Sequence, residues 1–312
     1  MPKVSILLIN YNYARYLNER IQSLLNQTFE DFELIIIDNG STDESTEIIG
    51  SYLQDPRIKP LFYRENEWIY KRWNDIADKA QGEYILFACS DDSCHPEFLE
   101  KLVEKLDQNP FVGLAYSQSW EIDDEGSHLY SLKEWTGDVD PDHWNKDYIN
   151  NGKNECQYLF FKCTIPTSSA VLFRRSTFIE AGKFDETMPF ASDWMLYAKV
   201  LAISDVAFVS EHLNYRRTDE KGLRNTSEKD VFVEESIKVI HFLSHNAPPP
   251  KYFSKKVFEP LIGWWIRSIA AEGISFDRNR RIYILLKDIE PSLNFQLAKH
   301  FIKTFQRKLK LA

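Results

Sequence analysis

Only four cysteines occur in 312 residues, and Cys89, Cys94, Cys156 and Cys163 form no CxxC pair. That leaves neither a zinc-ribbon spacing nor a disulfide framework, and such sparse usage fits a reducing cytoplasm. No Gly-x-Gly-x-x-Gly follows the first apolar run, which argues against a dinucleotide dehydrogenase. A glycine-rich phosphate loop is equally absent. Basic residues are in the minority: 38 Lys and Arg stand against 47 Asp and Glu, for a net charge of −9. This excludes a nucleic-acid binder held by an overall basic field, although a metal or a few basic residues can still meet phosphates locally. No run reaches membrane length, and Val4–Ile9 is too short for a signal core, so no secretory leader is expected.

What the chain does have is a globular mixture, 43% hydrophobic, 14% aromatic and 27% charged. Its length suits one large domain with an appendage, or two domains. The first hundred residues alternate strand and helix patterns. Val4–Ile9 and Glu33–Asp38 read as buried strands, Ile58–Tyr63 as a third and Glu83–Cys89 as a fourth. Leu17, Ile21, Leu24 and Leu25 recur at helical spacing. Ser41 and Glu44 have the spacing of a capping box for a helix carrying Ile48, Ile49 and Leu53. Lys71–Ala80 reads as a helix closed by Gly82, and Pro96 opens one with Phe98, Leu99, Leu102, Val103 and Leu106 on one face. Such alternation predicts an α/β fold, a parallel sheet covered on both sides.

Beyond residue 110, Val112–Trp120 and Ser168–Phe173 read as strands and Asp193–Leu201 as a helix. The polar, aromatic stretch 121–160, with a turn at 123–126, suits either an acceptor-binding loop region or a solvated connection. From about residue 226 helical patterns take over, broken by Pro248–Pro250. The end is basic, with Lys303, Arg307, Lys308 and Lys310 among apolar residues.

In an open parallel sheet, ligands bind beyond the carboxyl ends of the strands. Asn10, Tyr11 and Asn12 follow the first strand, Asp38 and Asn39 the second, and Asp91 and Asp92 the fourth. Adjacent carboxylates repel, so burying both calls for a counter-charge, and hard oxygen ligands suit Mg2+ or Mn2+. Taken alone, the pair serves equally as a solvated loop capping the next helix. Tyr11 suits base stacking or packing, and Asp38 a ribose contact or a turn. Lys71 and Arg72 suit donor phosphates or an ordinary helix start.

Together these segments resemble the inverting family-2 glycosyltransferases, which have the GT-A fold. The resemblance runs from residue 3 to about 220: VSILLINYNYARYLNERIQSLLNQTFEDFELIIIDNGSTDES at 4–45, KAQGEYILFACSDDSCHPEFLEKLVE at 79–104, IPTSSAVLFRRSTFIEAGKFDE at 165–186, SDWMLYAKV at 192–200 and LNYRR at 213–217. It implies a catalytic domain at 1–225, with a nucleotide-sugar half at 1–110 and an acceptor half at 111–225, followed by a helical region at 226–312. It implies donor-nucleotide contacts for Asn10, Tyr11, Asp38, Asn39, Arg72 and Asp91. Asp92, aided by Asp91, would bind the divalent cation, Mn2+ or Mg2+. Asp193 matches the catalytic base, for which a helix N-cap is the plainer use. Thr167, Ser168, Ser169 and Trp194 match the acceptor side.

Three positions depart from the family pattern. Asn39 stands where many members have an Asp that reads uracil, Cys89 where an acidic residue is common, and Thr218 where a histidine often follows the Tyr-Arg pair. The resemblance implies a nucleotide-diphosphate sugar donor, a glycan or lipid-linked acceptor and a role in polysaccharide or glycolipid assembly at the cell envelope. The expected location is cytoplasmic, with the basic tail touching the inner membrane face or packing on the catalytic domain. A metal-dependent nucleotidyltransferase and an inactive carbohydrate-binding relative are the rival readings.

Overall fold

The computed structural model describes residues 1–218, 229–272 and 274–298. The first half runs β1 (Val4–Asn10), α1 (Ala14–Leu25), β2 (Phe32–Asn39), α2 (Ser45–Ser51), β3 (Ile58–Tyr63), α3 (Ile69–Ala77), β4 (Tyr84–Cys89), the two-residue β5 (Ser93–Cys94) and α4 (Phe98–Gln108). The second half runs β6 (Val112–Ile122), β7 (His128–Ser131), α5 (Lys133–Thr136), β8 (Tyr148–Asn150), α6 (Gly152–Leu159), β9 (Val171–Arg174), α7 (Arg175–Glu180), α8 (Ser192–Ile203) and β10 (Asp205–Arg217). Three further helices follow: α9 (Lys229–Asn246), α10 (Glu259–Glu272) and α11 (Phe276–Ile289).

All ten strands join one sheet in the order β3-β2-β1-β4-β9-β6-β10-β5, with β7 on β6 and β8 on β10. The strands β3, β2, β1 and β4 are mutually parallel, as expected of crossover-connected strands. β9 inserts antiparallel between β4 and β6, while β6 and β10 run parallel to each other. The fold is therefore α/β, with a mixed, mostly parallel sheet.

Period-2 alternation divides the core into two apolar layers. Val4, Ile6 and Leu8 of β1 join Leu34 and Ile36 of β2 on one face, under Leu17, Ile21 and Leu24 of α1 and Leu99, Leu102 and Leu106 of α4. Leu7, Ile9, Ile35, Ile37 and Phe87 point to the other face. There they meet Trp73 and Ile76 of α3, Leu196 and Val200 of α8, and Ile237 and Ile240 of α9. The helices past residue 229 thus share a hydrophobic cluster with the sheet.

Several local expectations need correction. Ser41 caps no helix: α2 begins at Ser45, and the Ser41 hydroxyl instead accepts from Asn10 Nδ2 and the Asn12 N–H. Gly82 does not close α3, which ends at Ala77. A Cβ at Gly82 would lie 2.5 Å from the Ser5 nitrogen, so this glycine permits backbone contact with β1. Ser168–Ala170 forms a 3-10 turn, and only Val171–Arg174 is strand. No helix among the described residues is long and apolar enough to cross a membrane. The basic tail at 300–312 lies outside the described residues.

Candidate active site

Because β2, β1 and β4 are adjacent and parallel, their carboxyl ends emerge together. At a strand spacing of about 4.8 Å, the ends of β2 and β4 lie roughly 10 Å apart. Asn10 and Asp38 are register partners at this edge. Asn10 Nδ2 donates to Asp38 Oδ1 at 3.2 Å, and the Ser41 N–H donates to Asp38 Oδ2 at 3.0 Å. Asp38 is only 2% exposed, and these bonds fix its carboxylate at the strand end. Asn12, at φ 57, occupies the left-handed region that asparagine tolerates, and its Oδ1 accepts from the Thr42 N–H at 2.7 Å. Tyr11, beside it, is exposed at the strand end.

Asn39 faces the 65–67 loop. Its Nδ2 donates to Asn66 Oδ1 and Glu67 O, both at 2.7 Å, and its Oδ1 accepts from Arg72 Nε at 2.9 Å. Arg72 also stacks its guanidinium over the Tyr63 ring at 3.6 Å. Arg72 therefore braces the Asn39 corner. Gly40, at φ 86, lets the same loop close in, since a Cβ there would come within 2.9 Å of Asn66 N.

Beyond β4, one ligand atom from each of Cys89, Asp91 and Asp92 lies within 4.8 Å of the others. Asp92 is 4% exposed. Its Oδ1 accepts from the Arg217 N–H at 3.1 Å, and its Oδ2 accepts from Thr167 Oγ1 at 3.4 Å. The Arg217 guanidinium turns to the carbonyl oxygens of Asp91, Asp123 and Asp124 and to the Glu19 carboxylate. Burial pushes the Cys89 thiol up, and the Asp92 and Asp91 charges push it further. A neutral thiol is a poor ligand for a hard cation, whereas two carboxylates completed by substrate phosphates are the usual Mg2+ or Mn2+ set. The donor chemistry of Asp91 and Asp92 therefore fits such an ion.

The segment Pro166–Ala170 links this cluster to Asp193. Ser169 Oγ accepts from the Cys89 N–H at 3.0 Å, and Thr167 Oγ1 accepts from the Ser169 N–H at 3.3 Å. Tyr197 donates to Ser168 Oγ at 3.5 Å. Burial raises the hydroxyls of Tyr70 and Tyr197 well above the usual range, and the Asp193 charge adds to both. Tyr70 also feels Cys89.

Asp193 opens the first turn of α8 and accepts from the Trp194 N–H at 2.7 Å. It lines a cavity of about 520 Å³ whose walls include Trp135, Phe161, Trp194, Phe232 and Trp264. The Trp194 indole N–H donates to Leu159 O at 3.1 Å, which fixes the ring. Arg216 and Glu121, paired at 3.2 Å, supply charge on the cavity wall. Glu235 of α9 accepts from the N–H groups of Phe190 and Ala191 at 2.9 and 2.8 Å and so pins the backbone entering α8.

Asn10 and Asp38 are thus brought together at one strand edge, Asp91 and Asp92 follow β4 on the other side of β1, and Pro166, next to Thr167, lines the same cavity as Asp193. Sequence reasoning missed Tyr70, Arg217, Phe232, Glu235 and Trp264. Arg217 had a signal in the LNYRR segment, whereas the others look like ordinary helix residues.

Comparison with known proteins identifies the family and the fold. The description "Glycosyl transferase family 2" matches residues 5–182, and the chain belongs to that family. An uncharacterized glycosyltransferase of Rickettsia typhi is 30% identical over 232 residues, covering 72% of this chain and 67% of the relative. One from Haemophilus influenzae is 43% identical over 113 residues, or 36% of this chain and 45% of the relative. Its match, like those from Rickettsia bellii and Nostoc, thus spans under half of the relative's length. Among solved structures, S. aureus TarS 1-349 in complex with UDP-GlcNAc superposes with a TM-score of 0.65 at 18% identity, covering 92% of this chain and 80% of that one. A Pyrobaculum calidifontis mannosyltransferase in complex with GDP-Man and Mn2+ gives 0.60 at 13% identity, covering 95% and 84%. These two likenesses concern the fold.

Proposed function

We propose that this chain is an inverting glycosyltransferase that moves a sugar from a nucleotide-diphosphate donor to an acceptor hydroxyl with the help of a divalent cation. The observation that carries the reading is the placement of two neighbouring carboxylates, Asp91 and Asp92, beside the Thr167–Ser169 segment, whose neighbour Pro166 lines the same aromatic-walled cavity as Asp193. Binding of UDP-GlcNAc by TarS and of GDP-Man with Mn2+ by the mannosyltransferase supports the donor class.

Asp38, Asn10 and Tyr11 hold the nucleoside, Asp38 by accepting hydroxyl hydrogen bonds and Tyr11 by offering a ring face. Asp91 and Asp92 would hold Mn2+ or Mg2+, which supplies charge neutralisation for the diphosphate when bound. Asp193 takes the proton from the acceptor hydroxyl while that oxygen attacks the anomeric carbon from the face opposite the diphosphate. The new carbon–oxygen bond forms as the bond to phosphate breaks, its electron pair leaves with the diphosphate, and the anomeric configuration inverts. The acceptor is a glycan or lipid-linked sugar, whose ring faces suit the tryptophans around Asp193.

A panel of nucleotide sugars incubated with the chain and Mn2+ tests the proposal. Divalent-ion-dependent release of nucleoside diphosphate is expected. Release of pyrophosphate would instead identify a nucleotidyltransferase, and an inert panel would fit a carbohydrate-binding relative.

A further inference from the structure

The described residues hold a second metal-compatible cluster, formed by His241 and His245 of α9 and Asp288 of α11, far along the chain from the donor site. His241 and His245 are one helical turn apart and share a face. Their Nε2 atoms both converge on Asp288 Oδ2, at 2.7 and 3.2 Å, and the two rings lie 4.6 Å apart. The side chains are 30%, 49% and 57% exposed, so an ion has open access and room for a water.

The orientation of the His245 ring is informative. Its Nδ1 lies 2.9 Å from the His241 backbone oxygen and 3.1 Å from Ser244 Oγ, and these contacts hold the ring. With Nδ1 held there, Nε2 is the ring nitrogen left facing Asp288 Oδ2. Fixing one imidazole nitrogen through a backbone carbonyl, with the other left to the ion, is the usual support for a metal-bound histidine. The spacing is also apt. Ligand distances of about 2.0–2.2 Å in a tetrahedral zinc site place neighbouring ligand atoms about 3.3–3.5 Å apart, a small opening from the distances seen.

We infer that His241, His245 and Asp288 form a binding site for a borderline divalent transition ion of the Zn2+ type, with water as the fourth ligand. Two imidazoles and one carboxylate favour such an ion over Mg2+, whereas the Asp91–Asp92 pair favours the harder cations. The site would clasp α11 to α9. The two helices run in the same direction here: Glu234 pairs with Arg281 at 2.7 Å, and His241 with Asp288, each across 47 residues. The ion would thus form a second tie two turns beyond the Glu234 pair. Phe232, on the same α9, walls the acceptor cavity.

The test is Zn2+ titration of the chelator-stripped chain in excess Mg2+, with Co2+ as a spectroscopic probe. One Zn2+ per chain is expected, with affinity falling at least about tenfold in His241→Ala and His245→Ala, the low end of what disturbing a metal site costs. Asp288→Asn keeps the size and tests the ligand charge without risk to the fold. Zn2+ should raise the melting temperature of the wild type more than that of these variants. Co2+ should give four-coordinate visible bands only in the wild type. Zn2+ affinity unchanged in all three variants, or abolished by Asp92→Asn alone, would overturn the site, as would absence of Zn2+ binding by the wild type.

Discussion

At the polar rim, Asn10, Asp38 and the Asp91–Asp92 pair stand at the ends of parallel strands that are neighbours in the sheet, whereas the aromatic wall of the cavity around Asp193 comes mainly from α5, α8, α9 and α10, with Glu121, Tyr130 and Arg216 added by β6, β7 and β10. The rim is polar and held by short side-chain-to-backbone bonds, such as Asp38 to the Ser41 N–H and Asp92 to the Arg217 N–H. The cavity is aromatic and depends on how helices pack. In the proposed function, such a rim would handle diphosphate and metal chemistry that does not change with the acceptor. A cavity assembled from side chains on separate helices can change its specificity one residue at a time.

The sharpest break between the two regions should come at Asp193. Asp193→Asn is expected to lower transfer by about 10²–10⁴-fold, the usual worth of a positioned base, while nucleotide affinity stays within about twofold. Initial rates and nucleotide titration on the same preparation check both. Unchanged transfer would remove Asp193 from the chemistry.

Trp264→Ala probes the cavity wall alone. Losing one ring contact worth about 0.5–1.5 kcal/mol should raise the acceptor KM about 2–12-fold, with the donor KM unmoved. A matched rise in the donor KM would mean that the cavity and the rim are not separable. Glu235→Gln should lower kcat several-fold by loosening the backbone that enters α8, since a neutral amide makes weaker bonds to the Phe190 and Ala191 N–H groups. Its donor affinity should match the wild type.

The smallest effect on transfer belongs to Glu33, which stands at the amino-terminal end of β2, opposite the rim, and touches none of the reacting groups. Burial alone raises its carboxyl, but bonds from Lys59, Ser5 and the Gln81 N–H outweigh that and hold it below the usual range. A lowered folded-state value means stability that is present above the ordinary carboxylate range and lost as pH falls through the folded value. Glu33→Gln should therefore cost about 1–3 kcal/mol at neutral pH and nearly nothing in strong acid. Urea unfolding at both pH values checks the sign.

The same contrast explains what the sequence disclosed. Strand ends are legible because unbroken apolar runs such as Leu34–Ile37 announce a buried strand, and the next polar residue, Asp38, must then stand at the edge. The four parallel strands of the first half were all readable in this way. Phe232 and Trp264 were not, because an aromatic residue on an amphipathic helix reads the same whether it fills a core or walls a cavity. Ser41 misled for a local reason: capping-box spacing is also what a turn needs when its hydroxyl must bind Asn10 and Asn12. Ser168 misled in the same way, since a 3-10 turn positions Ser169 against Cys89 before the strand begins.

The central claim is that Asp91 and Asp92 tie nucleotide-diphosphate binding to a divalent ion, and calorimetric titration of UDP and GDP with and without Mn2+ tests it most directly. At least one nucleotide should bind about tenfold or more tightly with Mn2+, and Asp92→Asn should show the weaker affinity under both conditions. Equal affinities with and without the ion in the wild type would contradict the account.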